Sequence, residues 1–131
     1  MLIPDADWII YVHDLAIAES GGAAGIRDLG ALHAATERPA SGFGAVELFP
    51  TLFLKSAALG HAIATSHPFV DGNKRAALLA ANAVLEANGF ELVASPEGKE
   101  NTLVAVAVRE LSLEGFAQWL EDHAVPALSN P

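Results

Sequence analysis

His67-Pro68-Phe69-Val70-Asp71-Gly72-Asn73-Lys74-Arg75 separates two apolar stretches, and its reading decides how the rest of the chain is understood. Before it, Pro50 suits the first position of a helix running to about Thr65. After it, Asn73 to Asn88 reads as a long apolar helix, with Gly89 placed to end it. The nine residues are therefore a break between two helices. Pro68 restricts the backbone behind His67, and Phe69 suits an anchor in the core. Lys74 and Arg75 fall at the opening turn of the second helix, the end that already carries partial positive charge. The chain has 7 Lys and Arg against 16 Asp and Glu, so two adjacent cations there are locally unfavourable unless an anion occupies the site. Gly72, the Asn73 amide, Lys74, Arg75 and the free N–H groups of that turn describe a phosphate-sized cradle. Asp71 beside a polyphosphate is where Mg²⁺ is expected. His67 has the chemistry to take a hydroxyl proton near neutral pH. Base, metal ligand and phosphate cradle within nine residues are the parts that phosphoryl transfer needs. Singly, each residue has a plainer role: a loop histidine, an N-cap at Asp71, two solvated cations. It is the combination that points to chemistry.

Outward from this segment the helix signals continue. Pro4-Asp5-Ala6-Asp7 is an acidic helix start, and Trp8, Ile9, Val12 and Leu15 recur at helical spacing until Gly21-Gly22. Asp28 suits the cap of a short helix through Arg38, stopped by Pro39. Residues 39–49 are glycine-punctuated and too short for another packed helix, so a loop or small hairpin is expected. Phe90 to Ala94 suits one short extended segment. Ser95-Pro96 opens a helix to about Glu110, in which Leu103 to Val108 is expected to be helical and buried. Ser112 caps a last amphipathic helix through Leu113, Phe116, Trp119 and Leu120, and the tail from Pro126 is expected to fray. Trp8, Trp119, Phe116 and Phe90 suit the core. The fold class is all-α, about six helices with one short hairpin, in a single domain over residues 1–131.

The bulk numbers exclude several functions. Hydrophobic residues make up 52%, and alanine is abundant, which favours close-packed helices. A net charge of −9 argues against a nucleic-acid surface or an anionic membrane as partner. With no cysteine, thiol nucleophiles, thiolate metal sites and disulfides are out, and the cytoplasm is the expected compartment. The N-terminus lacks the basic and apolar regions of a signal peptide. His13-Asp14 suits a surface or structural pair. His61 suits a packed position, His33 and His123 have no metal-site spacing, and nothing requires Asn82 to touch a ligand.

The nine-residue run resembles the signature of the Fic/Doc family, written loosely as H-x-F-x-[D/E]-x-N-[G/K]-R. Weaker similarities to Doc proteins extend over nearly the whole chain: His13-Asp14, Gly21-Gly22 followed by Gly25-Ile26-Arg27-Asp28, and the Asn88-Gly89 helix stop. The resemblance implies a compact helical Fic/Doc fold and assigns roles. His67 deprotonates the attacking hydroxyl, Asp71 holds Mg²⁺, and Asn73 with the surrounding backbone forms the anion hole. Arg75 pairs with phosphate oxygens, Phe69 is structural, and residues 39–49 correspond to the flap that aligns a target peptide. It further implies ATP as the nucleotide and a toxin–antitoxin pair. The target would be a hydroxyl, a threonine in particular, of elongation factor Tu, whose modification arrests translation.

Lys74 separates two reactions within the family. AMP-transferring Fic proteins usually have glycine there, whereas Lys74 is as in Doc, implying transfer of the γ-phosphate. Pro68 and Gly72 look more like Fic, and Thr65-Ser66 stand where Doc proteins can carry an additional basic residue, so AMP transfer stays open. The self-inhibitory pattern of some Fic proteins, Ser or Thr four residues before a Glu that is followed by Gly or Asn, has no match here, which implies a separate antitoxin protein. Two other classes compete: a catalytically silent binding module, against which the intact His67, Asp71, Asn73 and Arg75 speak, and a ribonuclease, against which the charge speaks.

Overall fold

A computed structural model describes residues 2–128. Within them the elements run α1 (Ala6–Ser20), α2 (Leu29–Glu37), a 3-10 turn (Arg38–Ala40), β1 (Gly42–Phe43), β2 (Val46–Glu47), α3 (Leu52–Ser66), α4 (Asn73–Ala87), β3 (Phe90–Leu92), α5 (Pro96–Ala107), α6 (Leu113–His123) and β4 (Ala124–Pro126). The expected all-α class, six helices with a small flap hairpin, is what these residues form. No helix among the described residues is long and apolar enough to cross a membrane.

α3 and α4 form the centre, with α6 and α2 against α3, and α1 and α5 against α4. Their seam is built from small side chains: Ala57, Ala58 and Ala64 face Ala76, Ala77, Ala80 and Ala81, all buried. A Cβ at Gly60 would stand 2.9 Å from the Phe116 ring and 3.2 Å from the Ala77 carbonyl oxygen, so α4 and α6 both depend on its absence. One hydroxyl lies in the seam, and Ser56 Oγ satisfies itself by donating to the Ala81 carbonyl (2.7 Å). Larger fully buried side chains, among them Ile9, Leu32, Leu59, Leu85, Phe116 and Leu120, fill the space around the pair. The centre thus rigidly fixes the end of α3 and the start of α4, which bracket the 67–75 segment.

Several expectations are corrected. Thr51, not Pro50, sets the start of α3: its hydroxyl accepts from the Leu54 N–H (3.1 Å) and Pro50 lies outside the helix. α5 ends at Ala107, because Arg109 turns left-handed (φ 63°) and the chain reverses before Glu110. Leu103 and Val106 of that helix are buried, but Val104 and Val108 are exposed, as the helical period turns them outward. Trp8 and Leu15 are exposed rather than core, since α1 buries Ala6, Ile9, His13 and Ala16 instead. The tail does not fray at Pro126. β4 pairs with β3 (Leu92 with Ala124, Glu91 with Val125, Phe90 with Pro126), and the Ala127 N–H donates to the Gly89 carbonyl (2.9 Å). Any fraying of Ser129 to Pro131 lies outside the described residues.

Candidate active site

The segment between α3 and α4 is held on both sides. Phe69 is buried, and His13 of α1, itself 1% exposed, stacks on it with ring centroids 3.8 Å apart and planes 7° off parallel. His13 Nε2 donates to the Asp71 carbonyl (2.7 Å). The Asn73 side chain spans the loop from within: its amide donates to the Phe69 carbonyl (3.0 Å) while its oxygen accepts from the Phe69 N–H (2.9 Å). Both ends of that amide are therefore engaged in shaping the turn. From outside, Val70 N–H donates to the Gly25 carbonyl (3.0 Å), and Ile26 forms an antiparallel bridge with Phe69.

His67 ends α3 in a left-handed conformation (φ 52°), a region sparsely used by residues other than glycine. Its side chain is exposed, with Nδ1 3.3 Å from the Thr65 carbonyl. A carbonyl only accepts, so in the neutral ring this contact favours the proton on Nδ1 and leaves Nε2 as the acceptor, the arrangement a general base requires.

Asp71 does not cap α4. Its Oδ1 accepts from the Gly72 N–H (2.8 Å) and its Oδ2 from the Ala23 N–H (3.2 Å), and these two bonds hold its carboxyl below the usual carboxylate range. Each oxygen keeps a lone pair outward, so an ionised, exposed carboxylate fits a hard divalent cation. Among the described residues no group of three or more His, Asp or Glu side chains could enclose a metal, so an ion here would need the phosphates as its other ligands. Gly22 is required beside it: its φ is 114°, and a Cβ would meet Asp71 Oδ2 at 2.8 Å.

α4 begins at Gly72 (φ 75°) with no side-chain cap, and its first intrahelical bond is Ala76 N–H to the Gly72 carbonyl (2.9 Å). The N–H groups of Asn73, Lys74 and Arg75 precede that bond and point out of the helix end. Lys74 and Arg75 are exposed, and the ion pairs among the described residues, His13–Asp14 and Lys55–Glu47, involve neither. The open helix end and two cations beside the Asp71 carboxylate can bind a polyphosphate and its counter-ion. Two clefts, of about 570 and 520 Å³, lie elsewhere, and neither is lined by residues 67–75.

The β1–β2 hairpin occupies the expected flap position. Gly42 pairs with Glu47 and Phe43 with Val46, and Phe43 and Val46 are exposed. Its base is fixed by Lys55, a buried lysine of α3 whose Nζ donates to Glu47 Oε1 (2.8 Å) and to the carbonyls of Phe49 and Pro39. Lys55 was detectable as the one cation in an otherwise apolar helix, since a buried ammonium must find acceptors. His13 and Arg27 gave no such signal, because their partners lie more than thirty residues away in sequence. His61 is packed as expected, and burial, aided by Arg109 and Arg38, lowers its basicity.

A sequence model of the Fic/DOC family matches residues 3–85. The chain is 38% identical over 109 residues to the "Toxin Doc" of Mycolicibacterium smegmatis, covering 82% of this chain and 84% of that protein. It is 37% identical over 112 residues to the "Protein kinase doc" of Escherichia phage P1, covering 86% of this chain and 87% of that one. The family match takes in more than half of the chain, including all of the 67–75 segment, and both relatives align over most of it: the chain belongs to the Fic/Doc family.

Proposed function

We propose that this protein is a Doc-type toxin that transfers the γ-phosphate of ATP to a hydroxyl of a protein. The observation that carries the proposal is the uncapped start of α4, where Lys74 and Arg75 stand beside an ionised Asp71 in a chain of net charge −9. The names of the two relatives, a toxin and a protein kinase, support it.

In this mechanism the N–H groups of Asn73, Lys74 and Arg75 and the two cationic side chains bind the phosphate chain. Asp71 would hold Mg²⁺, which would supply charge neutralisation to the phosphate chain. Nε2 of His67 takes the proton of the target hydroxyl as its oxygen attacks the γ-phosphorus. The bond from that phosphorus to the bridging oxygen breaks, and ADP leaves with the electron pair. Exposed residues of the flap hairpin pair with the target chain. The target is a threonine of elongation factor Tu, so that translation stops. A cognate antitoxin restrains the enzyme in the cytoplasm.

Purified protein incubated with elongation factor Tu and ATP labelled at either the γ- or the α-phosphate tests this. Transfer of the γ-label alone is expected; transfer of the α-label would mean adenylylation, with pyrophosphate leaving. Expression is expected to arrest growth and His67→Ala to relieve the arrest. Equal toxicity of that variant would sink the enzymatic proposal.

A further inference from the structure

The carbonyl groups of residues 65–68 form an unbroken series, and each has a partner. Thr65 O meets Nδ1 of His67 itself (3.3 Å). Ser66 O accepts from the Arg27 guanidinium (Nη2, 2.6 Å), and His67 O accepts from Nε of the same group (2.6 Å). Pro68 O accepts from the backbone N–H groups of both Arg27 (2.7 Å) and Asp28 (2.9 Å). Four of these five bonds come from two consecutive residues of a segment with no other element to build: Gly21 to Asp28 is exposed and contains no helix or strand.

The need for such partners is physical. The last carbonyls of a helix have no intrahelical donors, and the end of α3 carries partial negative charge. α3 has no basic residue in its own last turn. His67 is also left-handed, a conformation strained for a non-glycine residue that persists only where its surroundings over-determine it. The planar fork of one guanidinium spans the peptide groups on both sides of the His67 Cα, which fixes the backbone from which the imidazole projects.

We propose that Arg27 is a positioning residue for His67, its guanidinium and backbone N–H together holding the His67 backbone left-handed so that the exposed imidazole projects outward. The inference rests on the proposed role of His67 as base. Arg27 touches no reacting atom and makes no bond to Lys74, Arg75 or the start of α4, so it acts on proton transfer and not on nucleotide binding.

The test uses the whole chain and two readouts. Backbone NMR couplings and carbon shifts of His67 report its φ without any need for activity. In Arg27→Ala the left-handed signature is expected to be lost while core amide signals such as those of Leu59 and Ala77 stay in place. In Arg27→Lys, whose single ammonium cannot bridge both carbonyls, it is expected to be averaged. Kinetically, kcat for phosphate transfer is expected to fall about tenfold or more in Arg27→Ala, with KM for ATP within about twofold, and Arg27→Lys to recover part of kcat. A merely structural cap on α3 would lower the unfolding midpoint and leave kcat per folded molecule alone. An unchanged His67 signature in Arg27→Ala overturns the proposal, as does an unchanged kcat. If the wild-type protein transfers no phosphate, the kinase proposal fails, and the His67 signature still decides whether Arg27 positions the loop.

Discussion

α4 and α6 begin with the same backbone problem and meet it in opposite ways. At α6, Ser112 Oγ accepts from the Gly115 N–H (3.0 Å), and Glu114 places a negative charge in the first turn. At α4, Gly72 has no side chain to offer, and the first turn carries Lys74 and Arg75. α1, α2, α3 and α5 follow α6, capped by Asp5, Asp28, Thr51 and Ser95. A chain able to cap five helices leaves open the sixth, at the point where its signature motif lies. Orphan N–H groups and cations at a positive helix end raise the energy of the empty protein and lower that of a protein holding an anion. The difference supports the proposed reading of α4 as a binding end, beside a structural start at α6.

The largest effect expected from breaking this difference is at Arg75. In Arg75→Ala, phosphate transfer should fall by about a hundredfold or more, the scale of losing one preorganised electrostatic contact to a transferring group. Stability to urea should stay the same or rise slightly, because a cation leaves a positive helix end. A loss of stability together with intact turnover would place Arg75 on the structural side. Next comes Gly72→Ala. Its φ is 75°, and a Cβ would lie 3.1 Å from Ile17 Cδ1 and 3.3 Å from His13 Nε2. A cost of about 1–2 kcal/mol in urea unfolding is expected. A neutral result would mean that the turn can relax, and that the open helix start does not depend on glycine.

Much of this was legible in the chain, for a physical reason. Caps are local, so Asp28, Ser95 and Ser112 announced three helix starts through residues three positions apart. The 67–75 segment is local too, and its composition pointed to an anion site before any fold was known. What escaped was non-local. His13 looked like half of a surface or structural pair, yet it is buried against Phe69, because α1 turns the Ile9–His13–Ala16 face inward and leaves Trp8 and Leu15 outside. Arg27 looked like part of a weak family similarity, and its three bonds to Ser66, His67 and Pro68 run across about forty residues of chain. β4 was missed because Ala124-Val125-Pro126 is too short to carry a strand pattern without β3 beside it. The control for the comparison is Ser112→Ala. Losing the α6 cap should cost about 1 kcal/mol in urea unfolding and leave turnover per folded molecule unchanged. If turnover fell in parallel, the two helix starts would not be separable in function.

The smallest expected effect concerns the charge that stands at the start of α4 without capping it. The Asp71 carboxylate is turned toward the N–H groups of Ala23 and Gly72, and those bonds lower its pKa from the ordinary value of 3.8 in spite of some desolvation. Because the folded state holds this group ionised more firmly than the unfolded chain does, the stabilisation is fully present above the ordinary carboxylate value. It is lost as pH falls below that value and through the lower folded-state pKa, where the folded protein must take up a proton it binds poorly. Asp71→Asn keeps an oxygen acceptor and loses the titration. Urea unfolding followed from about pH 6 to about pH 3 should therefore show wild type most ahead of Asp71→Asn at the upper end, with the gap narrowing toward the lower end. A gap that stays constant across the range would mean that Ala23 and Gly72 bind either side chain equally, and that the ionised carboxylate is not held for a cation by the loop that presents it.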